Sequence, residues 1–305
     1  MIIAVIVTFN PEPSSFIELV KRLILQVDKL CIVDNNPHEN DSVWEIIIAS
    51  DLDLERISLI RLGDNLGIAT ALNIGIDIAI SDKADWILLS DQDSLPSPNM
   101  VAGLLNAFNT LSKENNIGAI GPTFTDLHTK LTYPFQFLKP GNILYTQKPT
   151  TSAEPFVETL TLITSGCLIP THVLENVGGM LDNFFIDQVD IEWCHRARAK
   201  GYKIFGTSLA TMYQRMGDDR LRVWYFGWRY ESAYSPLRMY YRIRNFVALW
   251  KKDYIEWGWK LRSSWYWLGF IYTQVIFGQQ RLACLRMAIK GVWHGMTGRM
   301  GRYKD

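Results

Sequence analysis

Two hydrophobic rhythms alternate along the first 120 positions. Short, β-branched apolar runs at 2–7, 29–34, 57–62, 86–89 and 117–120 predict strands. Between them, apolar positions recur every three to four residues. That spacing predicts helices from Ser14 or Ser15 to about Gln26, over 42–50, over 68–80, and from Pro98 to Leu111. Repeated strand–helix–strand units imply an α/β fold with a mostly parallel, Rossmann-like sheet and helices on both faces. Ligands of such sheets collect beyond the carboxyl ends of the strands.

Polar residues cluster at those ends. The first strand runs into Thr8-Phe9-Asn10-Pro11, the second into Asp34-Asn35-Asn36-Pro37, the third into Asp64-Asn65-Leu66-Gly67 and the fourth into Asp91-Gln92-Asp93. Each alone is ordinary turn chemistry. Four in succession on one side of a sheet predict a binding site. If the fourth strand persists to Asp93, Asp91 and Asp93 point to one side. If the chain has already turned, they can still converge at the strand's end. Hard carboxylate oxygens there suit Mg²⁺ or Mn²⁺ held against a substrate diphosphate, with water and phosphate completing the shell.

Further along, residues 121–164 contain Pro122, Pro134, Pro140, Pro149 and Pro155 and predict loops and short strands. Residues 163–170 return to the core, and 190–200 predict a helix ending at Gly201. Three acids, Asp187, Asp190 and Glu192, stand at that helix's start. They suit either the helix macrodipole or a general base that takes a proton from a hydroxyl nucleophile. His38, His128 and His172 are isolated, and His195 is expected to pack.

Charge then divides the chain. Residues 1–214 hold 14 Lys/Arg against 25 Asp/Glu, and residues 215–305 hold 17 against 6. Eight of the eleven tryptophans lie in that basic tail. The expected division is a catalytic domain at 1–215 and a helical aromatic and basic region at 216–305. Arginines among aromatics could bind nucleic acid, but Trp, Tyr and clustered cations favour a membrane surface. Packing on the sheet or a homo-oligomer contact is the plainer alternative. Four scattered cysteines argue against disulfides or a zinc site. The apolar start reads as a strand rather than a signal peptide. The stretch 265–278 is short for a membrane span. These features together place the expected protein in the cytoplasm, peripheral on the inner face of the plasma membrane.

The motifs resemble the family 2 glycosyltransferases of GT-A fold. The resemblance rests on Val5-Ile6-Val7-Thr8-Phe9-Asn10-Pro11, Val33-Asp34-Asn35-Asn36, the segment from Asn65 to Gly75, Asp91-Gln92-Asp93, and Ser165-Gly166 with Gly178-Gly179-Met180-Leu181-Asp182. With Phe185-Ile186-Asp187-Gln188-Val189-Asp190-Ile191-Glu192-Trp193, the form is most similar to the bacterial rhamnosyltransferase branch. The resemblance implies that Thr8, Phe9 and Asn10 cradle a nucleotide and that Asp34 reads its pyrimidine edge, with Asn35 beside it. It implies that Asn65, Gly67, Asn73, Asp91 and Gln92 line the nucleotide-sugar pocket and that Asp93, with Asp91, meets Mg²⁺ or Mn²⁺. Asp190 would be the base, Asp187 the second candidate, and Glu192 would orient the acceptor or the base. Where the family often carries a metal-binding His, this chain has Gln214, a weaker ligand for softer metals. The implied reaction inverts configuration, moving L-rhamnose from dTDP-L-rhamnose to a lipid-linked saccharide in surface polysaccharide assembly. A UDP-hexose or UDP-galactofuranose donor is the alternative. A non-catalytic nucleotide- or membrane-binding module is more remote. A dinucleotide oxidoreductase is disfavoured, because no Gly-x-Gly-x-x-Gly follows the first strand.

Overall fold

The computed structural model describes residues 1–37, 42–50, 52–127, 130–214, 220–224 and 227–304. His38, His128 and the expected boundary at 215/216 lie outside them. The first half runs β1 (Ile2–Thr8), α1 (Pro13–Ile24), β2 (Lys29–Pro37), α2 (Ser42–Ile48), β3 (Ile57–Gly63), α3 (Ile68–Ser81), β4 (Trp86–Asp91), β5 (Ser94–Pro96), α4 (Met100–Leu111) and β6 (Ile117–Asp126). Short strands β7 (Thr132–Tyr133), β8 (Phe135–Phe137), β9 (Thr146–Lys148) and β10 (Phe156–Glu158) follow. Then come β11 (Cys167–Pro170), α5 (Thr171–Val177), α6 (Val189–Ala199) and β12 (Lys203–Gln214). The tail forms β13 (Arg220–Trp224), β14 (Trp228–Ser232), α7 (Pro236–Trp250), α8 (Trp257–Ile276) and α9 (Arg281–Thr297).

The main sheet runs β10-β12-β6-β11-β4-β1-β2-β3, with β5 beside β12 and β7 beside β6. The pairs β4-β1-β2-β3 are parallel, as the strand–helix alternation implies. Alternation along β1 divides the interior: Ile3, Val5 and Val7 enter one apolar cluster, Ala4 and Ile6 the other, on the opposite face. The departure is β11, which runs antiparallel to both β4 and β6. It enters the sheet from the carboxyl end of β4, where Gly166 N donates to Leu89 O at 2.8 Å. No crossover helix turns it round, so it can only run backwards. The sheet is therefore mixed beyond β4.

Local chemistry explains the finer differences. In α1, Phe16, Leu19, Val20, Leu23 and Ile24 are buried, the stripe of a helix facing a sheet. Its cap is not Ser14 or Ser15 but Glu12, whose carboxylate accepts from Ser14 N at 3.1 Å and Ser15 N at 2.8 Å. The basic tail packs on the sheet through α7 to α9. Met239, Ile243, Phe246, Trp259, Trp267, Phe270 and Cys284 share one apolar cluster with Val5, Leu89 and Trp193. No helix among the described residues is long and apolar enough to cross a membrane.

Candidate active site

Strand register assembles the site's floor. Thr8 lies opposite Asp34 across β1–β2, and Val7 opposite Asp91 across β1–β4. Thr8 Oγ1 donates to Asp34 Oδ1 at 3.1 Å, and Asn36 Nδ2 donates to the same oxygen at 2.7 Å. Asn36 Oδ1 accepts from Asn10 N at 2.9 Å. A second amide chain ties β2 to the loop before α3: Asn35 Nδ2 donates to Asn65 Oδ1 at 3.1 Å, while Leu66 N donates to Asn35 Oδ1 at 2.8 Å. Asn65 Oδ1 also accepts from Gly67 N at 3.0 Å. Gly67 adopts φ +90°, and a Cβ there would stand 2.5 Å from the Phe185 ring. Only glycine lets this loop pass so close to the acidic turn.

The strand β4 ends at Asp91, and the chain turns through Gln92 and Asp93 into β5. The two carboxylates thus converge through a turn rather than along one strand face. Gln92 closes a pair of hydrogen bonds with the backbone of Phe9, accepting from its N at 2.7 Å and donating to its O at 3.0 Å. Ser165 Oγ donates to Asp91 Oδ2 at 2.6 Å and bonds Ser94 Oγ at 2.9 Å. Burial pushes the Asp91 carboxyl up to about 6, against the lowering effect of Ser165, with the charge of Asp93 adding to the rise. Desolvation also raises Asp93, opposed in part by Arg238. On the facing strand, Gln214 pairs in register with Ser94, next to Asp93.

The acidic turn closes the other side. Phe185, Asp187 and Gln188 all have positive φ, between 63° and 65°. Asn245, on α7, holds the turn by donating through Nδ2 to Phe184 O at 2.9 Å, Ile186 O at 2.7 Å and Asp187 O at 2.8 Å. Asp190 Oδ1 accepts from Ile191 N at 2.8 Å. Burial raises its carboxyl to about 6; the Ile191 N–H opposes this, and the charges of Asp91 and Asp187 add to it. Asp91 and Asp190 therefore feel one another.

These parts bound one cleft of about 540 Å³. Phe9, Asn35, Asn65, Gly67, Asp91, Gln92, Asp93, Asp187, Asp190 and Gln214 all line it. Thr8, Asn10, Asp34, Asn73 and Glu192 do not. Thr8 and Asp34 lie beneath its surface, 0% and 3% exposed.

The contacts give three of the expected site residues structural partners. Glu192 is fully buried and forms a two-point pair with Arg196, Nε–Oε1 at 2.8 Å and Nη2–Oε2 at 2.9 Å, with the Tyr254 hydroxyl also donating to it. Arg196 continues to Val177 O and Gly179 O, so Glu192 ties a loop to α6 and lies outside the cleft lining. Asp187 gives both oxygens to Arg238, at 2.7 and 3.0 Å, the arrangement of a counter-ion. Asn73 donates to Met180 O and Asp182 Oδ1 at 2.8 Å each and accepts from Met180 N at 2.7 Å. Its amide clasps α3 to the segment ahead of the acidic turn. His195 packs edge-on against Trp259 and is held neutral, lowered to about 3 chiefly by burial.

Arg238 and Gln188 were not anticipated from the sequence, and both line the cleft. Gln188 is 7% exposed, and its Oε1 has no hydrogen-bond partner among the described residues. Among the described residues, no group of three or more His, Cys, Asp or Glu converges as a metal cage. Asp93 and Gln214 nonetheless both line the cleft and offer hard oxygens there. That partial set fits a cation that keeps water and substrate oxygens in its shell.

Strand ends that present amides and an Asp-x-Asp turn, with Asp190 lining the same cleft, fit a glycosyltransferase of GT-A fold. A family model described as "Glycosyl transferase family 2" matches residues 3–173, and the chain belongs to that family. A "dTDP-rhamnosyl transferase RfbF" from Shigella flexneri is 32% identical over 254 residues, 83% of this chain and 81% of that protein. In fold, the chain is similar to GalNAc-T7, solved with UDP, GalNAc and Mn²⁺, at TM-score 0.60 and 14% identity. It is also similar to S. aureus TarS, at 0.57 and 13%. It aligns over 97% of its own length to each, but spans 56% and 48% of theirs.

Proposed function

We propose that the protein transfers L-rhamnose from dTDP-L-rhamnose to a saccharide hydroxyl, with inversion at the anomeric carbon. The observation that carries this is the single cleft shared by the Asp91-Gln92-Asp93 turn and Asp190. The likeness to a named dTDP-rhamnosyl transferase supports the donor. Phe9, 44% exposed at the cleft edge, offers a face for the thymine, with Asn35 and Asn65 beside it. Asp34, under the floor, holds Thr8 and Asn36 in place for the nucleotide. Asp93 and Gln214 would hold Mg²⁺ or Mn²⁺, which when bound offsets the charge gathering on the leaving diphosphate. Asp190 takes the proton from the acceptor hydroxyl as that oxygen attacks the face opposite the nucleotide. Its raised carboxyl suits a base working near neutral pH. One base suffices for a direct displacement.

The acceptor in this reading is lipid-linked, and the enzyme works at the cytoplasmic face of a membrane. On α8, Leu261, Trp265, Leu268, Tyr272 and Ile276 are exposed along one side; on α9, Leu282, Leu285, Ile289, Trp293 and Met296 are. Neither helix contains an acid, while Arg262, Arg281, Arg286 and Lys290 flank these stripes. Anionic headgroups complement that pattern. A two-fold contact between copies would set like charges against each other, so a homodimer through this face is disfavoured.

The test is nucleotide release from dTDP-rhamnose, UDP-hexoses and UDP-galactofuranose, with the product's anomeric configuration read by NMR. Acceptor-dependent release of dTDP and an inverted product are expected. Release of UDP alone would overturn the donor assignment, and a retained configuration the single-displacement mechanism.

A further inference from the structure

Three cavities follow one another from Asp190 to the exposed side of α8. Gln214 lines both the active cleft and a second cavity of about 270 Å³. Gln147 lines both that cavity and a third of about 610 Å³. The inner wall of the second includes Ile191, the residue after Asp190. Its lining combines the rings of Phe124, Tyr133 and Phe135 with the amides of Gln136, Gln147 and Gln214. Flat apolar surfaces with a few amides match a pyranose, which has a C–H face and a hydroxyl edge.

The third cavity has a different character. Leu261, Trp265 and Tyr266 of α8 face Leu144 and Tyr145 across it, and Trp265 is 77% exposed. Arg262 lies among them with its guanidinium 4.8 Å from the centre of the Tyr145 ring. Among the described residues its guanidinium has that ring contact and no carboxylate. A cation without a counter-ion, set in an apolar trough, suits a phosphate that carries an apolar chain.

We propose that the three cavities form one acceptor track. The sugar that receives the new residue sits in the second cavity, with its hydroxyl toward Asp190. Its phosphate meets Arg262, and the apolar chain leaves across Trp265 along the outer face of α8. The inference rests on the reading of Asp190 as base toward a saccharide acceptor, and it names how that acceptor is carried.

The experiment compares one saccharide in three forms. The sugar that turns over best as a methyl glycoside is presented again on a long neutral alkyl chain and on a polyprenyl diphosphate. Wild-type enzyme should prefer the diphosphate form in kcat/KM. Arg262→Gln should lower the preference for diphosphate over neutral alkyl at least roughly tenfold, and Trp265→Ala the preference for long chain over methyl by a similar factor, each on the scale of a lost charged or aromatic contact. Both side chains are partly or largely exposed, and dTDP binding to each variant controls for folding. Unmoved preferences in variants that bind dTDP normally would overturn the track while leaving the transfer reading intact. A wild-type enzyme that binds dTDP but glycosylates no form of any sugar would overturn the transfer reading and the track together.

Discussion

Replacing Asp190 by Asn should make the protein more stable and inactive at once. The carboxyl is raised from 3.8 to about 6, first by burial. At roughly 1.4 kcal/mol per pH unit, that gap corresponds to about 3 kcal/mol. The sign follows from linkage. Below about pH 4 the group is protonated in both folded and unfolded chains and contributes no difference. Above about 6 the fold must hold it ionised, and the full cost is present. An asparagine has no such cost at any pH, and its amide oxygen can still accept from Ile191 N. The stability gap between variant and wild type should therefore open between pH 4 and 6 and level off near 3 kcal/mol, which for 305 residues is a Tm rise on the order of 5 °C. The assay is urea denaturation across pH, without nucleotide or divalent cation, since either would offset the charge in the wild type. Transfer by the same variant should fall by about 10²–10⁴. A stability gap that does not depend on pH would refute the electrostatic reasoning. Full transfer activity in the variant would refute the base assignment.

Asp93→Asn should raise the Mn²⁺ concentration needed for half-maximal dTDP binding by about tenfold or more, measured by calorimetry. Asn245→Ala removes three hydrogen bonds to the acidic turn and should lower kcat on the order of 10²-fold with dTDP affinity largely kept. Glu192→Gln leaves Arg196 without its counter-ion and should cost about 3–5 kcal/mol in urea unfolding; a variant that keeps its stability but loses kcat would restore Glu192 to the acceptor site. Ile289→Asp with Trp293→Asp, on the exposed side of α9, should abolish co-sedimentation with anionic vesicles while leaving dTDP binding as in wild type.

The strand ends were legible because two simple periodicities fixed where each strand stops, and turn residues marked the stops. That placed Phe9, Asn35, Asn65, Asp91 and Asp93 around one cleft without any coordinates. The roles of the three acids at 187–192 were harder, because they depend on which cation each side chain finds. Asp187 meets Arg238, 51 positions later in the chain, and no local pattern announces it. Glu192 was readable in principle: Arg196 stands four residues on, the spacing at which Glu and Arg meet on a helix. The order of β11 in the sheet could not be read from an apolar run, since such a run carries no direction. Asn73 matched a motif position, but the motif does not say that its amide is consumed by Met180 and Asp182.

The basic tail has an inward task in the cleft besides the outward one proposed for it. Phe185, Asp187 and Gln188 hold left-handed backbone angles that cost about 1–3 kcal/mol each for residues other than glycine. Such a turn persists only if its surroundings over-determine it. The surroundings here come from α7: Asn245 takes three of its carbonyls, Arg244 donates to Phe184 O at 2.9 Å, and Arg238 grips Asp187. Arg244 is fully buried, stacked near Tyr241 at 4.9 Å. These cations are spent on the catalytic turn and are not available to a membrane. In the proposed membrane reading, Arg281 and Arg286 on α9 remain. A net charge of the tail therefore overstates its attraction for an anionic surface, and lipid binding should respond to the outer arginines alone. It follows that removing α7 to α9 would not yield a working catalytic unit. It would release the turn that carries Asp190, and transfer would be lost.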